Sequence, residues 1–379
     1  MKVKALTSTI QNISSPAKQA ILTLIATKTL VLAIGYIVTY LNTGPAPPLT
    51  IAMDMFNRWD APHYVDIAKN WYASNPALDA YNFIVFFPLY PILTRIFTFD
   101  INYINLSALA VSNISSLIAF LYIYKIAKLE FNENIAAKAV LLLSVFPTAY
   151  FLTVPYTEGP FLAFAVASIY YSRLGKWHFA GLLGLFAALT RLAGFLLLPV
   201  LLVEYFHQRL HKPRKVDLNV LWPFLALAGF LIYLGINAQV TGNAFTFMQI
   251  QSTHWGTNLD PWSGLTNAYG WATGASYPDN VTVGAAPLAF AVFGLVMVGI
   301  SVLRRIRPVY TVYMFLSWGL AVSTSWWISV PRYVMTLFPM FILLALLIRR
   351  KPVSIAVVIT FGVLLCYFTV LFARGWWAF

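Results

Sequence analysis

Apolar residues fall along this chain in long blocks, with no alternating stretch that would suggest strands. Blocks occupy roughly 20–41, 102–124, 135–153, 159–173, 179–203, 219–238, 284–303, 309–325, 333–348 and 353–373. A helix needs about 20 residues to cross ~30 Å of hydrocarbon, so the blocks predict membrane-spanning helices, some with short or interrupted cores. Polar residues gather between the blocks. Two of those intervals, 42–101 and 239–283, are long enough to carry short helices of their own.

Charge in the intervals predicts an orientation. Lys125 and Lys128, then Arg173 and Lys176, then Arg209, Lys212, Arg214 and Lys215, then Arg304, Arg305 and Arg307, then Arg349, Arg350 and Lys351 mark one side as cytoplasmic by the positive-inside rule, and Lys2, Lys4 and Lys18 agree. The 239–283 interval has no Lys or Arg but holds Asp260, Asp279 and several tryptophans, and 42–101 holds Asp54, Asp60, Asp66, Asp79 and Asp100. Both read as extracytoplasmic.

A single crossing by 179–203 would put the basic 207–215 cluster outside. Two repairs exist. An extra crossing by 83–97 would strand Lys125, Lys128, Arg173 and Lys176 outside. A broken, re-entrant 179–203 violates no charge rule, and Thr190-Arg191 lies midway, where a break would fall. Irregular backbone at depth is tolerated where it is buried in protein or lines a wet cavity, so the second repair is preferred. Phe86-Phe87-Pro88-Leu89-Tyr90-Pro91 then runs along the outer interface, with its prolines interrupting any straight helix.

Composition agrees with a membrane assignment. The 379 residues are 60% hydrophobic and 10% charged, against roughly 25% charged in soluble domains, and mean hydropathy is +0.74. The chain reads as one membrane-embedded unit over 1–379. A net charge of +13 would fit a nucleic-acid partner, but the basic residues sit in short clusters between apolar blocks, which excludes that reading. The lone Cys366 forms no intrachain disulfide, and no Cys/His set has zinc spacing. The first apolar run is too long for a signal sequence and is expected to stay as a helix.

In so apolar a chain, polar clusters beside membrane helices mark candidate chemistry. The foremost is Arg58-Trp59-Asp60-Ala61-Pro62-His63-Tyr64. The predicted topology sets it in the same layer as Glu158 of Pro155-Tyr156-Thr157-Glu158-Gly159, Arg332 of Pro331-Arg332-Tyr333, and Arg191 at the break. A carboxylate flanked by arginines suits transfer of a group away from a phosphate. The carboxylate takes a proton from the attacking hydroxyl, and the cations stabilise charge left on the phosphate.

Plainer roles compete for each residue. Asp60 could cap a helix opened by Ala61-Pro62, with His63 bonded to it one turn on and Asp66 on a solvated face. Glu158 could start an interfacial helix, Arg191 could form a structural ion pair, and Arg332 could snorkel to headgroups. Lys28, inside the first block, is expected to snorkel or pair internally. Trp59, Trp71, Trp255, Trp262, Trp326 and Trp327 fit interfacial aromatic belts, with sugar stacking open for one or two. Asp54, Asp60 and Asp66, six apart, do not share a helix face, and no metal is required by these residues.

The run Arg58-Trp59-Asp60-Ala61-Pro62-His63-Tyr64-Val65-Asp66-Ile67-Ala68, followed by Phe86-Phe87-Pro88-Leu89-Tyr90-Pro91, resembles the opening signature of the PIG-V-type mannosyltransferases of the GT-C class. Three later segments fit in order: Phe146-Pro147 to Tyr156-Thr157-Glu158, Ala180-Gly181 to Leu189-Thr190-Arg191-Leu192-Ala193-Gly194, and Pro331-Arg332-Tyr333 to Phe338-Pro339. The resemblance implies an all-α bundle of roughly 9–11 transmembrane helices whose large first extracytoplasmic loop carries short interfacial helices. It implies transfer of a hexose, typically mannose, from a polyprenyl-phosphate-sugar donor by an inverting single displacement on the outer face, with Asp60 as base.

Arg58, Trp59, His63, Glu158, Arg191, Arg332 and Tyr333 would then serve donor and acceptor binding. No cofactor is implied, although some GT-C relatives use a divalent metal. Ala61 stands where the family often has serine, and Asn70-Trp71-Tyr72 replaces a usual Gly-Tyr. The short cytoplasmic loops resemble those of prokaryotic members, in the plasma membrane. The acceptor, whether glycan, lipid or protein, stays open. Two other classes remain: a transporter or lipid flippase, which would favour inverted repeats not seen here, and a non-catalytic subunit of an envelope-assembly complex.

Overall fold

The computed structural model describes residues 14–211 and 215–379. Lys2, Lys4, Lys212 and Arg214 of the basic clusters therefore lie outside the described residues. Among the described residues there is no strand, and five helical stretches are long and apolar enough to span a bilayer: Ser15–Thr43, Ile101–Glu130, Leu218–Thr241, Asn280–Leu303 and Lys351–Ala373. The remaining apolar blocks form shorter helices.

Helix α1 (Ser15–Thr43) is opened by Ser14, whose hydroxyl accepts from the Ala17 N–H, and by Pro16 in its first turn. The 42–101 interval folds into α2 (Pro48–Asp54), α3 (Asp60–Asn70), a 3-10 turn over Asp79–Val85 and α4 (Leu89–Ile96). At eight residues α4 is about 12 Å long, so 83–97 does not cross as a helix. Tyrosines pin this layer to the bundle. Tyr90 donates to the Ala108 carbonyl of the next long helix (2.9 Å), and Tyr233 donates to the Ile84 carbonyl (2.7 Å).

Helix α5 (Ile104–Glu130) is followed by α6 (Glu133–Ser144), capped by Asn132 through a 3.0 Å bond from the Ile135 N–H. The block expected to span 135–153 stops there. Pro147 and Pro155 withhold N–H donors, and 145–157 runs as irregular chain with one 3-10 turn at Ala149–Leu152. Lys28 reaches in from α1 to hold this stretch. Its ammonium donates to Leu152 O (2.8 Å) and Asn113 Oδ1 (2.9 Å), and the Asn113 amide donates to Thr153 O (2.9 Å). Lys28 thus pairs internally.

Helix α7 (Glu158–Arg173) packs against α5 and against α8 (Trp177–Thr190). The break at Thr190-Arg191 is present. Arg191 is extended (φ −160°, ψ 153°), a 3-10 turn covers Leu192–Leu196, and α9 (Leu197–His211) turns back. Gly194 permits the fold-back, because a Cβ there would lie 2.2 Å from the carbonyl carbon and oxygen of Ala187. The ends of this pair away from the break meet again, since Trp177 packs on Tyr205 with centroids 5.2 Å apart.

The chain continues through α10 (Leu225–Thr241), α11 (Thr246–Thr253), α12 (Pro261–Gly274), a π-turn at Asn280–Ala285 leading into α13 (Ala286–Leu303), α14 (Pro308–Ala321), α15 (Val330–Met335), α16 (Pro339–Leu347) and α17 (Lys351–Ala373). Block 333–348 is thus two short helices interrupted before Pro339. One end of the bundle is tied by a buried network. Glu204 accepts from Arg307 (2.8 Å) and Arg173 (3.2 Å), while Glu130 accepts from Arg173 (2.5 Å) and the Tyr310 hydroxyl (2.6 Å). Buried charges need such multiple partners to offset desolvation. The network draws the ends of α5, α7 and α9 and the start of α14 into one layer, so α7 and α8 must carry their other ends, with Glu158 and Arg191, to the opposite side.

Candidate functional site

Two helices open with the same pattern. In α3 Asp60 is the first helical residue and Pro62 the third, and in α7 the same positions hold Glu158 and Pro160. Proline is tolerated in a first turn, where its missing N–H bonds nothing, and a carboxylate there faces the positive end of the helix dipole. The capping positions are held by Trp59 and Thr157, one residue before each acid, and the carboxylates pair with arginines instead. The capping role weighed for Asp60 is therefore not adopted. The residue before α3, Trp59, takes φ 55° and ψ −115°, and the turn ahead of it closes with an Ala61 N–H bond to the Arg58 carbonyl (3.1 Å).

The two carboxylates and two arginines form one chain of charge. Arg332 Nη1 donates to Asp60 Oδ2 at 3.0 Å. Arg332 Nε lies 3.3 Å from Glu158 Oε1, an ion-pair distance without hydrogen-bond alignment, and Arg191 Nη1 donates to the same Glu158 oxygen. Side-chain exposure falls from 17% at Asp60 to 8% at Arg332 and 1% at Glu158, so the chain runs from a partly accessible carboxylate into the interior. Arg332 also reaches Ser329 Oγ and the Tyr333 hydroxyl, each at 3.3 Å. Rings enclose the cations: Arg191 lies 4.7 Å from the Tyr333 centroid, and Arg332 lies 5.2 Å from Phe151 and 5.3 Å from Tyr156. Cation–π contacts of this kind strengthen where water is excluded.

The other expected residues are placed differently. The Arg58 guanidinium folds back onto the carbonyls of Asn57 (3.1 Å) and Asp54 (3.4 Å), away from the charge chain. His63 is not bonded to Asp60. Its ring lies 4.4 Å from Phe83 and 5.4 Å from Phe86, with Trp255 edge-on at 5.8 Å. Burial lowers its pKa, only partly opposed by Asp60 and Asp66, which favours the neutral imidazole. Asp66 accepts from the Asn70 amide at 2.8 Å on an exposed face. Trp59 is partly exposed beside Asp60, and Tyr333 stacks under the arginines. Among the described residues no group of three or more His, Cys, Asp or Glu that could hold a metal ion comes together.

Tyr156 was not singled out by its own chemistry, although it stands two residues before Glu158. Its hydroxyl accepts from the Asp60 N–H (3.1 Å) and donates to the Arg58 carbonyl (3.4 Å), so it fixes the turn that presents the carboxylate. Ser112 of α5 bonds both the N–H and the carbonyl of Tyr156 (3.3 and 3.2 Å). Ser329 and the Trp376-Trp377 pair were missed too. Their only sequence signal is proximity to Arg332 and a tryptophan pair after the last apolar block.

The fold and site define an all-helical, multi-pass membrane protein with a partly buried acid–arginine cluster near one end of its bundle. Residues 88–236, less than half the chain, match the family of dolichyl-phosphate-mannose-protein mannosyltransferases. That stretch contains Glu158 and Arg191 but not Asp60 or Arg332. No curated protein and no solved structure matches the chain. The family match supports a membrane glycosyltransferase that uses a polyprenyl-phosphate sugar.

Proposed function

We propose that this protein is a PIG-V-type mannosyltransferase of the GT-C class, a prokaryotic member working in the plasma membrane. It moves a hexose, mannose in the simplest case, from a polyprenyl-phosphate donor to a hydroxyl of a glycan, lipid or protein acceptor. The reaction takes place on the extracytoplasmic face. The observation that carries this reading is the 3.0 Å pair between Asp60 and Arg332, residues 272 positions apart, with Glu158 and Arg191 behind it.

Asp60, the most accessible member, accepts the proton of the acceptor hydroxyl as its oxygen bonds to the anomeric carbon. The bond from that carbon to the phosphate oxygen breaks in the same displacement, so the anomeric configuration inverts. The departing polyprenyl phosphate gains negative charge, which Arg332 and Arg191 stabilise from a site low in water. Glu158 keeps the two guanidiniums close together when no phosphate is near. Trp59 and Tyr333 supply ring faces at the edge of the cluster, and His63, neutral among its aromatics, supports α3. The positive-inside pattern supports placing the site outside.

The test is incubation of purified protein with decaprenyl-phosphate mannose and candidate acceptors, with products read by mass spectrometry and anomeric configuration by NMR. Asp60→Asn should remain folded and lose turnover by a factor of about 100 or more, the scale of general-base catalysis. Near-normal turnover by that variant would remove Asp60 as the base. Retained anomeric configuration would exclude the single displacement, and liposome flux without any glycosyl product would favour a flippase.

A further inference from the structure

We infer that Gly375–Phe379, the segment after α17, is a strap that positions Asp60 for proton transfer; this rests on Asp60 being the base. The starting point is Trp59. A bulky side chain at φ 55° is a backbone outlier, and such conformations persist only where the surroundings over-determine them. Here the surroundings come from over three hundred residues away. The Trp59 indole N–H donates to the Trp376 carbonyl (3.3 Å), and the Trp377 ring meets the Trp59 ring edge-on, with centroids 4.9 Å apart and planes at 74°.

The strap is itself anchored. Gly375, at φ 82°, lets the chain leave α17 and turn back, and the Trp376 N–H closes that turn on the Leu371 carbonyl (3.0 Å). The Tyr150 hydroxyl donates to the Ala378 carbonyl, and the Phe379 ring is buried 4.7 Å from Phe368. The Trp377 indole donates to the Ile328 carbonyl (3.4 Å), four residues before Arg332. One short segment therefore holds the turn before Asp60 and the loop before its arginine partner. Tyr156 holds the same turn from the other side. Released from the strap, Trp59 can relax to negative φ, which would rotate the first residue of α3 and swing the Asp60 carboxylate off its line to Arg332.

The experiment uses the full-length protein, decaprenyl-phosphate mannose as donor and a membrane extract as acceptor source, with released decaprenyl phosphate as the readout. Trp377→Ala should lower kcat roughly tenfold or more, as misplacement of a reacting group does. The KM for donor should change far less than kcat, since Arg332 keeps its own contacts with Ser329, Tyr333 and Glu158 when the Ile328 contact is lost. Trp377→Phe, which keeps a ring edge, should restore most of kcat. Gly375→Val, which forces a branched side chain into positive φ with no neighbour to clash with, should reproduce the kcat loss by an independent route and decides the matter if Trp377→Ala fails to fold.

Hydrogen exchange supplies a readout independent of catalysis: the Asp60 and Ala61 amides should exchange faster in Trp377→Ala while α7 stays protected. Wild-type kcat in Trp377→Ala, with Asp60→Asn inactive, overturns the strap and leaves the base standing. An active Asp60→Asn overturns the base, and unchanged exchange at residues 59–61 in Trp377→Ala then overturns the strap as well.

Discussion

Removing the carboxylate of Glu158 is the most discriminating perturbation of the charge chain. Among the described residues Glu158 is the only acid that contacts both arginines, at 3.3 Å from Arg332 and closer still to Arg191, with its side chain 1% exposed. Coulomb attraction across 3.3 Å is about 5 kcal/mol at an effective dielectric of about 20, and the second pair adds to it. The charges were desolvated to reach these positions, so the net loss is smaller than the sum. Breaking a buried pair by removing one partner costs about 3–5 kcal/mol, and Glu158→Gln should destabilise by that much.

The partners are not equally exposed to the loss. Arg332 keeps Asp60, Ser329 and Tyr333, whereas among the described residues Arg191 keeps only the Tyr333 ring. Replacing Arg191 with an apolar side chain of similar length should therefore relieve the stranded charge. The double variant Glu158→Gln with Arg191→Met should be more stable than Glu158→Gln alone. The assay is unfolding of purified protein in a mild detergent for the two singles and the double. Additive single effects, or a Glu158→Gln variant within about 0.5 kcal/mol of the wild type, where ordinary surface substitutions fall, would refute the claim that Glu158 is the hub of the cluster.

Other outcomes follow from the same geometry. Arg332→Ala should raise the KM for the polyprenyl-phosphate donor and lower kcat, measured by steady-state kinetics, because both the phosphate cation and the partner of Asp60 are lost; unchanged donor dependence would take Arg332 out of the phosphate site. Gly194→Ala should abolish the hairpin between α8 and α9, since its Cβ would meet backbone atoms of Ala187 at 2.2 Å, and the yield of folded protein in detergent reports it. His63 gives a pH dependence. Its folded pKa lies below the ordinary value of 6.5 because of burial, so the unfolded chain binds more protons between the two values and stability falls as pH drops through 6.5. His63→Phe should flatten that part of the profile, and a profile unchanged by the substitution would show that His63 does not titrate as placed.

Much of the architecture was legible because membrane constraints are written locally. Length and hydropathy of each block, with basic residues between blocks, predict helices and which ends share a layer. The same charge count located the break at Thr190-Arg191, since only a fold-back kept the 207–215 cluster on the basic side. Blocks 135–153 and 333–348 were read as single spans and are interrupted instead, because Pro147, Pro155 and Pro339 remove backbone donors that internal polar groups such as Lys28 and Asn113 then replace. Arg58 and His63 sat in the most conspicuous motif, yet the structure sends one to nearby carbonyls and the other into an aromatic nest. Adjacency in sequence cannot say which way a side chain turns as its helix begins.

By itself the sequence determined the membrane class and the helical blocks, because hydrophobic length depends only on near neighbours. Only the tertiary structure decided that Asp60, Arg332, Glu158 and Arg191 form one continuous chain of charge, that Tyr156 fixes the turn before Asp60, and that Trp376 and Trp377 hold a strained Trp59. Apart from Glu158 and Arg191, which are 33 residues apart, these contacts join segments separated by about a hundred residues or more. Their geometry arises from how the broken helices pack, and no local pattern encodes it.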